Sequence, residues 1–202
     1  MTALSVFTDA DMARVATRIS HEIIEKNSGS GNIVLVGVRR RGALFANRLK
    51  KIIKAIDGIS VPVYSLDISD ARDDMTLEET RNHLLNESIT GVELSADKER
   101  EIYPPDLGSA SNIDFENFNV IIVDDVLYTG RTTRACMEII SKVSRPKTMQ
   151  LAVMIDRGHR ELPIKADFVG KNVPTKRSER VNMKMVELDG VDLVEVVRED
   201  LG

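Results

Sequence analysis

The chain has 202 residues, of which 28 are Lys or Arg and 32 are Asp or Glu, giving a formal net charge of −4 at neutral pH. With 42% hydrophobic and 30% charged residues it can bury an ordinary core, which excludes a disordered chain and a disulfide-stapled scaffold. One globular domain over residues 1–202 is expected.

Residues 9–26 place Met12, Val15, Ile19 and Ile23 at helical spacing, with Asp9 as the expected N-cap. Asp9, Asp11, Arg14 and Arg18 interrupt any apolar stretch that could serve as a signal peptide or membrane span. A cytoplasmic protein with no membrane partner is therefore expected. Residues 32–38, reading NIVLVGV, form a β-branched apolar run after the Gly/Ser cluster at 28–31, the pattern of a buried strand. The run ends in Arg39, Arg40, Arg41 and Gly42. Helical spacing resumes over 43–56, Gly58 stops it, and a strand is expected over 61–68.

Residues 69–118 contain no strand pattern long enough to join a sheet core, although Thr76-Leu77-Glu78-Glu79 is a capping box ahead of a short helix. A connection of this length reads as a flexible, functional excursion, and Tyr103-Pro104-Pro105 would stiffen its return. It is also acidic. Residues 71–116 hold twelve acids and four bases, a local charge of −8, so the remainder of the chain carries +4.

Regular alternation then returns, with a strand over 120–123, a helix over 132–143 and a strand over 149–155. This is the βαβ order of an α/β fold with a mainly parallel sheet flanked by helices. From Asp167 onward the pattern is one of short strands and turns. The one cysteine, Cys136, can build neither an internal disulfide nor a thiolate metal site, as suits a reducing compartment.

The most informative run is Val120-Ile121-Ile122-Val123-Asp124-Asp125-Val126-Leu127-Tyr128-Thr129-Gly130-Arg131-Thr132-Thr133: a strand, two acids, a turn and a helix start. Ligands of open α/β sheets bind beyond the carboxyl ends of strands, and this junction is such an end. Backbone N–H groups from Thr129 to Thr133 can converge on an anion at the helix start, with Gly130 allowing close approach and the hydroxyls adding neutral donors. The glycine spacing and Lys-Ser/Thr pair of a Walker A loop are missing. Carboxylates would repel the phosphate that the next turn attracts, unless Asp124 and Asp125 accept hydrogen bonds from ribose hydroxyls, with Mg²⁺ nearby through water. Sugar plus phosphate indicates ribose 5-phosphate. Taken alone, Asp125 would cap a turn and Asp124 would be a solvated strand end.

The run resembles the PRPP-binding motif of type I phosphoribosyltransferases. Together with Asp156-Arg157-Gly158-His159-Arg160-Glu161-Leu162-Pro163-Ile164, Gly170-Lys171-Asn172-Val173-Pro174-Thr175, Thr17-Arg18-Ile19-Ser20-His21-Glu22 and Arg40-Arg41-Gly42, it resembles the PyrR family of bifunctional pyrimidine-operon attenuators and uracil phosphoribosyltransferases. The resemblance implies the type I fold with a flexible loop and a small base-binding hood. It places Arg40, Arg41, Asp124, Asp125, Val126, Leu127, Tyr128, Thr129, Gly130, Arg131 and Thr132 around PRPP, and Asp156, Arg157, Lys171, Asn172 and Val173 around the uracil ring. Arg72, at the start of the loop that covers PRPP, would join Asp124 and Asp125 as a catalytic residue, neutralising developing charge. Mg²⁺ would enter mainly with PRPP, without a dedicated metal site on the protein. Purine enzymes with similar motifs typically have Asp where Tyr128 stands, so Tyr128 favours a pyrimidine.

The resemblance also implies a messenger-RNA leader as a partner, bound under the influence of UMP or UTP by a homodimer or higher oligomer. Thr17, Arg18 and His21 are the matching residues, and Arg18 and His21 share a helical face. Lys142, Arg145 and Lys147 would extend a phosphate-contacting patch. Two features depart from relatives: Ala71 where many have Tyr, and a longer, acidic excursion. The competing readings are an RNA-binding regulator with only vestigial turnover, and a purine phosphoribosyltransferase.

Overall fold

A computed structural model describes residues 2–68, 104–105, 107 and 114–198. Arg72, Ala71, the Thr76 capping box and most of the acidic excursion lie outside the described residues. The elements are β1 (Thr2–Phe7), α1 (Asp9–Lys26), β2 (Ile33–Val38), α2 (Arg41–Asp57), β3 (Val63–Leu66), β4 (Asn119–Leu127), α3 (Arg131–Val143), β5 (Thr148–Asp156), β6 (Phe168–Asn172), β7 (Glu179–Lys184), α4 (Val186–Asp189) and β8 (Leu193–Arg198).

Five strands form a sheet in the order β3-β2-β4-β5-β6, every neighbouring pair parallel. Both of its faces are covered, which is why β2 is buried at every position and reads as an unbroken apolar run. Ile33, Leu35, Ile121 and Val123 face one core shared with Ile19 and Ile23 of α1 and Leu44, Phe45 and Leu49 of α2. Val34, Val36, Val120 and Ile122 face the other, with Cys136, Ile139 and Ile140 of α3. The crossing strands thus sort their side chains by parity, the period of an extended chain.

A second, three-stranded antiparallel sheet has the order β1-β8-β7. It belongs to the first core, since Phe7, Met183, Met185 and Val194 pack there. Short strands after Asp167 were expected, but β1 was not: five of its six residues pair with the far end of the chain, a long-range partnership that local periodicity does not encode. The little helix α4 of this hood is tied to α2 by Arg48, which donates to both oxygens of Glu187 and of Asp192.

Several boundaries differ from expectation; β3, expected over 61–68, pairs with β2 only over Val63–Leu66. The N-cap of α1 is Thr8, not Asp9: Asp11 reaches back to the Thr8 N–H at 3.0 Å and completes a capping box, leaving Asp9 in the first turn where its charge complements the helix dipole. α2 begins at Arg41 and ends on Gly58 at φ +75°, the left-handed stop that glycine permits. β4 continues past Val123 through the two acids to Leu127 because its ladder with β5 runs on to the Leu127–Asp156 pair.

The return of the excursion docks on β3. Pro104 and Leu107 are buried, the Ser65 N–H donates to the Pro105 carbonyl at 2.9 Å, and the Ser65 hydroxyl donates to that of Pro104 at 3.1 Å.

Candidate active site

The carboxyl end of β4 brings Asp124 and Asp125 to the walls of two cavities. Asp124 lies on the wall of one of about 240 Å³, lined also by Ile68 and by Val126–Ala135, the turn into α3. Asp125 lies on the wall of another of about 250 Å³, with Arg41, Asp189 and residues 181–184 of the hood. The alternation of the strand accounts for this division. Each carboxylate also accepts the next backbone N–H at 2.9 Å, Asp124 from Asp125 and Asp125 from Val126.

Asp124 is only 8% exposed. Burial, reinforced by the charge of Asp125, raises its pKa well above the ordinary carboxylate value. Behind it, burial and then Asp124 push the Cys136 thiol up, so this cysteine is a packed, protonated side chain. A raised carboxylate at a strand end inside a cleft marks a functional site, and here the marking coincides with the geometry.

Gly130, at φ +91°, turns the chain from β4 into α3 and serves as the N-cap without a side-chain bond. The Arg131 N–H donates to the Thr129 hydroxyl at 3.3 Å, and the next N–H groups of the first turn have no capping side chain where α3 opens on the first cavity, an arrangement that suits an anion. Thr133, which the sequence marks only as the last residue of that turn, is 2% exposed, and its hydroxyl has no partner within the protein. The hydroxyl oxygen is itself closed off from the cavity, so Thr133 can offer a ligand there only its backbone N–H.

The turn is held from outside by residues 157–164. The Thr129 carbonyl accepts from the N–H groups of Glu161 and Leu162, and Arg131 donates to Glu161 at 2.8 Å. Arg160 donates to the Tyr128 carbonyl at 2.6 Å and pairs with Asp156. Neither Arg160 nor Glu161 carries a role in the sequence reading, since a basic turn gives no local sign of the loop it will clasp.

The expected base-side residues gather at the carboxyl ends of β5 and β6. The Asp156 carboxylate accepts from the Gly158 N–H at 2.9 Å. Lys171 is exposed, with its ammonium 5.3 Å from the Phe7 ring centroid, and Asn172 is exposed beside it. Val173 donates its N–H to the Asp156 carbonyl at 2.8 Å. Arg157 is 7% exposed and points inward: Nε donates to the Thr175 hydroxyl at 3.0 Å, and Nη2 to the Lys176 and Glu179 carbonyls at 3.1 and 2.6 Å. Its guanidinium also lies 4.0 Å from the Tyr128 ring centroid.

Arg40 and Arg41, expected around PRPP, stand at the start of α2, and the Arg39–Arg40 peptide is cis. Arg41 pairs with Asp189 of α4 at 2.9 Å, while its Nε is buried with no partner in the protein. Gly42 passes against the end of β4.

Of the residues expected to contact RNA, Arg145 stands apart from the other three. Thr17, Arg18 and His21 are exposed on α1, on one side of the sheet, whereas Arg145 follows α3 on the other. Thr17 donates back to the Ala13 carbonyl, and Arg18 binds the Val169 and Gly170 carbonyls of β6 as well as Glu22.

Among the described residues no cluster of three or more His, Cys, Asp or Glu side chains could hold a metal ion. The two carboxylates at the end of β4 are a donor set that suits Mg²⁺ carried in on a substrate's own oxygens, because this ion keeps most of its ligands from water and phosphate. Among the described residues no helix is long and apolar enough to cross a membrane.

Residues 5–184 match the phosphoribosyl transferase domain family. The chain is 40% identical to the bifunctional protein PyrR of Leuconostoc citreum over 98% of its length and 99% of that protein's. It is 45% identical to the bifunctional protein PyrR of Clostridioides difficile over 92% of both chains. In fold it is similar to a hypoxanthine phosphoribosyltransferase of Trypanosoma cruzi in complex with IMP, with a TM-score of 0.65 and 17% identity, covering 98% of this chain and 91% of that one. The strand carrying paired acids, the turn into a helix and the hood above them are thus the architecture of that fold. The chain belongs to the phosphoribosyl transferase domain family and, within it, to the PyrR proteins.

Proposed function

We propose that the protein transfers the phosphoribosyl group of PRPP to uracil, giving UMP and pyrophosphate, and that it also binds a pyrimidine messenger-RNA leader as an attenuator. The observation that carries the enzymatic half is the position of Asp124 and Asp125, one on the wall of each cavity, beside a helix start able to hold a phosphate. On this reading Thr129 to Thr133 hold the 5-phosphate and the two acids accept the ribose hydroxyls. Arg40 and Arg41 face the pyrophosphate, with Arg72 closing over it. Asp156 and residues 171–173 surround the base.

The reaction forms a bond from uracil N1 to ribose C1 and breaks the bond from C1 to the pyrophosphate oxygen, which leaves with the electron pair, while the N1 proton of uracil passes to water. Positive charge develops on the ribose. Burial and Asp125 hold Asp124 toward its neutral form, and a cationic ribose favours its ionised form, so the acid is stabilised as the charge appears. The arginines stabilise the departing anion. Mg²⁺, bound with PRPP, would supply further charge neutralisation at the pyrophosphate.

Uracil, hypoxanthine and guanine assayed side by side with PRPP test this reading: UMP formation with uracil alone is expected, and turnover of a purine in its place would overturn it. For RNA, a filter-binding titration with a pyrimidine leader transcript, with and without UMP and at two salt concentrations, should give binding that UMP strengthens and salt weakens. Absent or salt-insensitive binding would remove that half. The reading includes a homodimer or higher oligomer in the cytoplasm, checked by sedimentation and fractionation.

A further inference from the structure

We infer that Arg157 is a positioning residue that couples the base side of the site to its phosphate side, and not a group that touches the base. Three observations carry this. Its guanidinium is buried, and two of its nitrogens donate to the Thr175 hydroxyl and to the Lys176 and Glu179 carbonyls, holding the loop from β6 to β7. The central carbon of the same guanidinium lies over the Tyr128 ring, 4.0 Å from its centroid, in the turn between β4 and α3. Its backbone N–H donates to the Leu127 carbonyl at 3.1 Å, where that turn begins.

One cation therefore holds one loop through its N–H groups and the other by lying over an aromatic ring. Lysine can do neither together, since a point ammonium has no plane to stack and no fork of fixed donors. His159 completes the brace: its ring meets Tyr128 edge-on at 5.9 Å, and its Nε2 bonds the Thr175 carbonyl. Arg157 and His159, two residues apart on one turn, thus make the same pair of connections. A desolvated contact of guanidinium on aromatic ring is strong enough to change the population of a correctly placed ring about tenfold.

The kinetic test rests on the uracil reading above. Arg157→Met and Arg157→Lys are assayed for KM toward each substrate. A shared brace predicts that both KM values rise, each about tenfold, in both variants. A rise confined to uracil would mean that Arg157 contacts the base, and unchanged KM values would mean that it positions nothing; either result overturns the proposal. Should the methionine variant fail to fold, the lysine variant decides by the same criterion.

Hydrogen exchange on the ligand-free protein tests the connection whatever the substrate is. In either folded variant the amides of Tyr128 and Thr129 should exchange faster, as should those of residues 175–179. Acceleration confined to residues 175–179 would overturn the coupling even if wild-type protein turns over uracil. A wild-type protein that makes no UMP but shows both accelerations would instead retire the substrate assignment and leave the brace standing.

Discussion

Gly42 rests so closely on Val123 that a Cβ at that position would stand 2.4 Å from the Val123 carbonyl oxygen and 3.0 Å from the Asp124 α-carbon. The start of α2 and the acid-bearing end of β4 are therefore in backbone contact, and the distance from Arg41 to Asp125 is set by the lack of a side chain. Gly42→Ala must push the two elements apart. An overpacked contact of this kind costs roughly 1–3 kcal/mol, so the urea midpoint should fall and kcat/KM should drop with it. An unchanged midpoint and unchanged turnover would show that the contact is slack.

Asp124→Asn should make the protein more stable and less active. The native carboxyl has a pKa above its unfolded value, because burial and Asp125 oppose its ionisation. Folding then carries a penalty that appears as pH rises above about 4, the unfolded carboxylate range, and grows until the native group ionises. The amide has no such penalty. Denaturation of the two proteins should give a gain for the variant at neutral pH that vanishes as pH falls toward 4. Losing a charged hydrogen bond to substrate, worth about 1.5–3 kcal/mol, should lower kcat/KM by roughly 10- to 100-fold.

Thr133→Val removes a buried hydroxyl that no group in the protein satisfies. The unliganded protein should keep its stability or gain up to about 1 kcal/mol, since replacing an unpaired polar atom by a methyl relieves its desolvation. KM for PRPP should stay unchanged, because the hydroxyl oxygen is closed off from the first cavity and only the backbone N–H, which valine keeps, can reach a phosphate. Calorimetric titration with PRPP checks the second part, thermal unfolding the first.

Arg48→Met should loosen the hood. Burial pushes the Asp192 carboxyl up, but the Arg48 guanidinium and the Val186 N–H outweigh it and hold it below its ordinary value. A depressed carboxylate stabilises the fold above its unfolded pKa of about 3.9, and that contribution is lost as pH falls through the lower native value. The variant should lose about 1–3 kcal/mol near pH 7, measured by urea unfolding, and the difference from wild type should shrink below pH 4.

Much of the fold was legible because a parallel sheet covered on both faces writes itself as unbroken apolar runs: β2 and the helix after it lie within two residues of where their patterns put them. β1 was not, because its partner is 190 residues away and its own alternation is short. Asp124, Asp125 and the turn to Thr132 were legible as a site because a strand, a charge pair and a helix start occur consecutively. Arg157 was legible as important but its orientation was not, since a sequence does not show which way a guanidinium turns. Arg160 and Glu161 were silent for the related reason that the carbonyls they bind belong to a turn thirty residues earlier.

The docking of Pro105 on Ser65 has a consequence for how chains meet one another. β3 is the outermost strand of the five, and such a strand offers a row of N–H and carbonyl groups on which another polypeptide can template itself. Here the Ser65 N–H is taken by a proline carbonyl, and a proline has no N–H with which to carry the ladder outward. At Ser65 the border is thereby closed by a residue unable to carry the ladder to a further strand, so a second molecule finds no free N–H at this point of the sheet to pair with.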